Sequence, residues 1–106
     1  GPYICHPGTR LRGSEDGSAE LTLKAVALSR IVLKDVYLPS TTALNIKGGL
    51  RDALNCGANV IMQKVTPYRY RDLYDIYPGR ETKDLDLKSQ LDDLKSVLTQ
   101  MGRVGL

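Results

Sequence analysis

Three points along this chain place side chains capable of chemistry directly behind short apolar runs. Tyr3-Ile4-Cys5-His6 runs into Pro7-Gly8, Val36-Tyr37-Leu38 into Pro39 and Ser40-Thr41-Thr42, and Asn59-Val60-Ile61-Met62 into Gln63-Lys64. Hydroxyls, an imidazole, a thioether and an amide at such places are the means of holding a polar ligand. In parallel α/β sheets the ligand lies at the carboxyl ends of the strands. If the three runs are neighbouring parallel strands, these groups form one binding mouth. The same hydroxyls could cap a turn, and Met62 could fill a core.

Other chemistries find no support in the residue types. Cys5 and Cys56 are too far apart for a metal-ligand pair, and no Cys-x-x-Cys occurs. His6 is the only histidine. Cys5 and His6 are sequence neighbours and would point to opposite faces of a strand, so they make a poor nucleophile–base pair. Gly48-Gly49 lacks the spacing of a phosphate loop. No paired carboxylates or Ser-His-Asp arrangement stand out. A net charge of +3 without a basic, aromatic-interleaved stripe does not suggest nucleic acid. No apolar run has the length of a membrane span.

The elements that would carry these groups follow from periodicity and caps. The first apolar run reads as a strand, with a Gly- and Ser-rich loop from 7 to 17. Ser18 is a good N-cap, and Glu20 suits the first turn of a helix over 19–33. Leu21, Ala25, Leu28 and Val32 form its apolar stripe, and Leu23, Ala27 and Ile31 widen it. Such a helix should pack on two sides. Val36–Leu38 reads as a second strand, residues 41–49 as a loop, and 50–55 as a short helix closed by Gly57. Asn59–Met62 is apolar throughout, as a strand buried on both faces would be. Thr66-Pro67 should start a helix carrying Tyr70, Leu73, Tyr74 and Tyr77 to Pro78-Gly79. A last amphipathic helix over 85–101 should end at Gly102.

Strands alternating with helices imply an α/β fold with a parallel sheet. Three strands cannot close a barrel. The chain is then either a small open sandwich or the last third of an eight-stranded barrel. There are six Tyr and neither Phe nor Trp among 106 residues. The core must therefore rest on aliphatic side chains, as barrel layers do.

Several stretches, taken in order, resemble HydE-type FeFe-hydrogenase maturases of the radical S-adenosylmethionine superfamily. They are Gly1-Pro2-Tyr3-Ile4-Cys5-His6-Pro7 with Thr9 and Leu11, Leu21 to Ile31, Leu38-Pro39-Ser40-Thr41-Thr42-Ala43-Leu44, Cys56 to Met62, and Thr66-Pro67 through Tyr70-Arg71-Asp72-Leu73-Tyr74 to Tyr77-Pro78-Gly79. The C-terminal helix is less distinctive. Two departures stand out: Cys5 and Gln63 each occupy a place where the family carries proline.

The resemblance implies the last three βα units of a TIM-type (β/α)8 barrel over 1–82, within the biotin and thiamin synthesis-associated region, and a C-terminal helix and tail over 83–106. It implies Met62, Tyr77 and Ile4 on the cofactor side and Thr41 and Thr42 in the substrate cavity. The intact family enzyme uses S-adenosylmethionine and a four-iron four-sulfur cluster held by a Cys-x-x-x-Cys-x-x-Cys loop, which this sequence lacks. The expectation is a cytoplasmic chain, inert alone, holding no metal, whose partner is the N-terminal half of the barrel or a second copy. The intact enzyme would work with other hydrogenase maturation proteins, without nucleic acid or membrane. The alternatives are a stand-alone interaction module, or part of a biotin synthase-like or methylornithine synthase-like enzyme.

Overall fold

The computed structural model describes residues 1–74, 76–77 and 86–105, apart from the side chains of Tyr68, Asp72 and Tyr74. The chain divides into two compact units. One comprises Gly1–Lys64 with Tyr74–Arg80, the other Val65–Leu73 with Glu81–Leu106. The boundary drawn from sequence at 82/83 falls outside the described residues.

The first unit is mixed α/β. It contains α1 (Ala19–Val32), β1 (Pro39–Ser40), α2 (Thr42–Ile46), α3 (Leu50–Asn55) and β2 (Val60–Ile61). β1 and β2 pair in parallel, with Pro39 opposite Val60 and Ser40 opposite Ile61. The pairing is extended backwards by Leu38, whose carbonyl accepts from the Asn59 and Val60 amides at 2.9 and 3.2 Å. The Leu38 amide donates to Asn59 Oδ1 at 2.7 Å. Ala43, Leu44, Ala53, Leu54 and Ala58 form the buried apolar centre, with Ser40 fully buried beside them.

Both short helices end in the same way. Gly48 donates to Asn45 and Gly49 to Leu44 after α2; Gly57 donates to Leu54 and Ala58 to Ala53 after α3. These paired bonds define the Schellman motif, which needs a left-handed residue at its first position. Gly48 and Gly57 supply it, with φ of 79° and 114°. At Gly57 a side chain is also excluded by space, since a Cβ would lie 2.7 Å from Arg30 Cβ.

The second unit holds α4 (Leu87–Gln100) and most of the 3₁₀ turn Tyr68–Tyr74, whose last residue falls to the first unit. Asp86 caps α4 by accepting from the Ser89 amide at 2.7 Å. Gly102 closes it by a third Schellman motif, with Gly102 donating to Thr99 and Arg103 to Leu98.

Four expectations are corrected. Residues 3–6 form no strand; the Tyr3 carbonyl instead accepts from the Gly17 amide at 2.6 Å, which closes a surface loop. The second strand is Pro39–Ser40, not Val36–Leu38. The 41–49 segment holds a helix, α2, where a loop was expected. The segment after Pro67 is 3₁₀ rather than α-helical. There the Thr66 carbonyl is taken by Arg71 Nε at 2.9 Å, and the Tyr70 amide turns to Pro67 at 3.0 Å. An α-helix would have joined Tyr70 to Thr66.

Candidate binding mouth at the carboxyl end of the sheet

The parallel register decides which site residues meet. Because Ser40 faces Ile61, the residues that follow, Thr41 and Met62, leave the sheet at the same end. The N-terminal segment comes to that end too. Gly1 lies so close to Thr41 that a Cβ on it would overlap Thr41 Oγ1, and Pro2 beside it is buried. Gly1 thus approaches the tip of β1, while Tyr3 and Cys5 bond to the loop at 15–17.

Thr41 is held from behind. It occupies the N-cap position of α2, and its carbonyl accepts from the Leu44 and Asn45 amides at 3.1 and 3.0 Å. Its side chain makes no capping bond. Turn-capping therefore does not explain the hydroxyl. Thr41 Oγ1 is buried, and among the described residues no group hydrogen-bonds to it. Leaving such a hydroxyl unmatched costs about 1–3 kcal/mol, and buried polar groups usually have a partner.

Ser40, next to it, is fully satisfied. Its hydroxyl donates to Asn45 Oδ1, and Asn45 Nδ2 returns a bond to the Ser40 carbonyl at 3.3 Å. This bracket joins the strand tip to the first turns of α2 and fixes the direction in which Thr41 and Thr42 leave the sheet. Thr42 and Ile4 are half-buried, and Met62 is largely exposed. Tyr77 is half-buried and belongs to the first unit.

A second clamp holds the loop that rises from this end. Asp16 Oδ1 accepts from the Cys5 amide at 2.8 Å, and Lys47 Nζ donates to Asp16 Oδ2 at 3.0 Å. The Cys5 amide, and then Lys47, hold the Asp16 carboxyl below its ordinary value. The departure at Cys5 thus has a structural consequence, since the proline carried by the family has no N–H to give. Cys5 Sγ points to the Glu15 carbonyl at 3.6 Å, while His6 Nδ1 accepts from the Gly8 amide at 3.0 Å. The two side chains serve separate local contacts and do not form a catalytic pair.

Sequence reasoning missed three fixtures: the Ser40–Asn45 bracket, the Asp16 clamp and the Arg30 fork. Arg30 Nε donates to the Gly57 carbonyl at 2.9 Å, and its terminal nitrogens donate to Lys34 at 2.6 Å and Val36 at 3.0 Å. The spacing of five between Ser40 and Asn45 was a faint signal. The Asp16 clamp and the Arg30–Gly57 bond join residues far apart in the sequence and left none. Among the described residues no group of three or more His, Cys, Asp or Glu could hold a metal ion. Among them no helix is long and apolar enough to cross a membrane.

No family model matches the chain. A curated relative, the [FeFe] hydrogenase maturase subunit HydE of Thermotoga maritima, is 51% identical to it over 82 residues, or 76% of this chain. Those residues cover 24% of the relative, so the chain spans about a quarter of that protein's length.

Proposed function

The chain belongs to the HydE family of [FeFe] hydrogenase maturases, and we propose that it is the C-terminal wall of a radical S-adenosylmethionine enzyme of the barrel type and is inert by itself. The observation that carries the reading is the buried hydroxyl of Thr41, unmatched at the carboxyl end of a parallel strand pair. That is where α/β enzymes bind their ligands. Thr41 and Thr42 would face the substrate cavity, with Met62, Tyr77 and Ile4 toward the cofactor. The 51% identity favours the HydE type over the biotin synthase-like and methylornithine synthase-like alternatives.

In the intact enzyme a four-iron four-sulfur cluster held outside this chain would supply the electron for reductive cleavage of S-adenosylmethionine. The residues of this chain do not fit that cluster, which takes a set of cysteine thiolates. Cys5 and Cys56 are the only cysteines in the sequence, and they lie far apart along it. The chain's share is to shape and dry the cavity and to offer the Thr41 hydroxyl to a bound polar group. The intact enzyme would work in the cytoplasm beside the other hydrogenase maturation proteins.

The test joins this chain to the remainder of the Thermotoga maritima relative and measures formation of 5′-deoxyadenosine under reducing conditions. The joined enzyme should form it and bind iron, and the chain alone should do neither. Thr41→Val in the joined enzyme should lower turnover of the physiological substrate about 10-fold, the effect of losing one buried hydrogen bond of roughly 1.4 kcal/mol. In the isolated chain the same change should leave stability equal or raise it by up to ~1 kcal/mol, because it removes an unmatched hydroxyl. Unchanged turnover in the T41V enzyme would refute the cavity role.

A further inference from the structure

The way α2 begins leaves the Thr41 hydroxyl free. Thr41 is the N-cap of α2, and a threonine there ordinarily turns its hydroxyl to accept from an amide of the first turn. Here the Thr41 carbonyl takes the Leu44 and Asn45 amides, and Oγ1 is buried with no partner among the described residues. The entry of the chain into α2 is fixed by the residues around the cap instead. Ser40 precedes it, and Asn45 is the fourth residue of the helix. Those are the two positions at which a staple of apolar side chains sets the entry angle of a helix. In this chain the staple is polar. The Ser40 hydroxyl donates to Asn45 Oδ1, and Asn45 Nδ2 donates to the Ser40 carbonyl at 3.3 Å. Ser40 is wholly buried, so no solvent reaches its hydroxyl to compete with Asn45.

We propose that Asn45 is a positioning residue for the mouth: locked onto Ser40, it starts α2 without the Thr41 hydroxyl and keeps that hydroxyl for the ligand. The inference rests on the cavity role of Thr41 proposed above and names what prepares it. The staple holds the first turn tight, with the Leu44 amide 3.1 Å from the Thr41 carbonyl. Without the staple that amide becomes the partner of Oγ1, as in an ordinary cap. The hydroxyl is then spent inside the chain, and a ligand must break one bond to make another. Asn45 acts through Thr41 in this arrangement, since its own Oδ1 and Nδ2 are both engaged with Ser40.

The test begins with NMR on the 106-residue chain. In Asn45→Ala the Thr41 side chain should change rotamer, read from its three-bond couplings, and the Leu44 amide should shift as it gains Oγ1. Ser40→Ala, which removes the other end of the staple, should do the same. Asn45→Asp keeps an acceptor for the Ser40 hydroxyl and should leave Thr41 as it is. A Thr41 rotamer unmoved in both alanine variants would overturn the proposal. The second step uses the chain joined to the remainder of the Thermotoga maritima relative, with turnover read as 5′-deoxyadenosine formation. N45A should lower turnover about 10-fold, as far as T41V does, and T41V/N45A should be no slower than either alone, because both remove one interaction. N45D should stay within about twofold of the unaltered enzyme, since the bond from the Ser40 hydroxyl survives. Should N45A not fold, S40A carries the same comparison. If the two losses multiply, Asn45 acts apart from Thr41 and the proposal falls. If N45A turns over like the unaltered enzyme while T41V is slow, the proposal falls and the cavity role stands. If T41V is not slow, the cavity role falls and this inference with it.

Discussion

The corner formed by β1, α2 and α3 and the helix α1 are built from the same aliphatic residues but hold together differently. In the corner Leu44 and Leu54 are almost wholly buried, and every helix end is closed by backbone bonds. α1 has no buried residue at all. It is kept in place by fixtures at its two ends: Ser18 at its start, where the hydroxyl accepts from the Leu21 amide at 3.1 Å, and the Arg30 fork at its end. Aliphatic content does not decide burial. Neighbours do, and α1 has neighbours on one side only.

The sharpest way to break this contrast is a pair of truncations. Leu44→Ala should cost the isolated chain about 2–5 kcal/mol, as large-to-small changes in cores do. Leu28→Ala should cost less than about 0.5 kcal/mol, as at a surface site. Urea denaturation of both variants measures the difference; equal losses would mean that α1 is buried after all. A smaller effect sharpens the account of α1. Ser18→Ala should cost about 1 kcal/mol, with loss of helical ellipticity that Ser18→Asp restores.

The smallest effect belongs to the Asp16 clamp. Its carboxyl is held below the ordinary value of 3.8, first by the Cys5 amide and then by Lys47. The clamp is therefore complete above that value and is lost as pH falls through the lowered one. The Cys5 amide followed by NMR during an acid titration should report a midpoint under 3.8. Lys47→Met should raise that midpoint. Cys5→Pro, followed through the Asp16 carboxyl carbon, should raise it further, since it removes the larger cause. A midpoint unmoved by both changes would show that the clamp does not form in solution.

Much of this was legible in the sequence, for local reasons. The start of α1 at Ser18 and the ends at Gly57 and Gly102 are written in one or two residues each, and the structure has them where those residues stand. α2 was not legible, because Thr-Ala-Leu-Asn-Ile is too short to show a period and follows a hydroxyl run that suits a loop equally well. The side on which α1 packs was not legible either. Leu21, Ala25, Leu28 and Val32 make a stripe as good as the one through Leu23 and Ala27, and only the surroundings select between them. The convergence of Thr41 and Met62 could be read from strand order. The unmatched state of the Thr41 hydroxyl could not, since it depends on the bracket that Asn45 makes with Ser40 instead.

The Arg30 fork also governs where this chain tolerates extra length. One planar group reaches carbonyls at Lys34, Val36 and Gly57, and its reach is fixed by its own bonds. A single residue inserted between Val32 and Val36 would move the Lys34 and Val36 carbonyls out of register with the guanidinium and loosen the route from α1 into β1. The exposed turns at 8–13 carry no such tie to another element. A peptide tag, a fluorophore-bearing linker or a new chain end belongs there, and the four residues after Val32 are the place to leave alone.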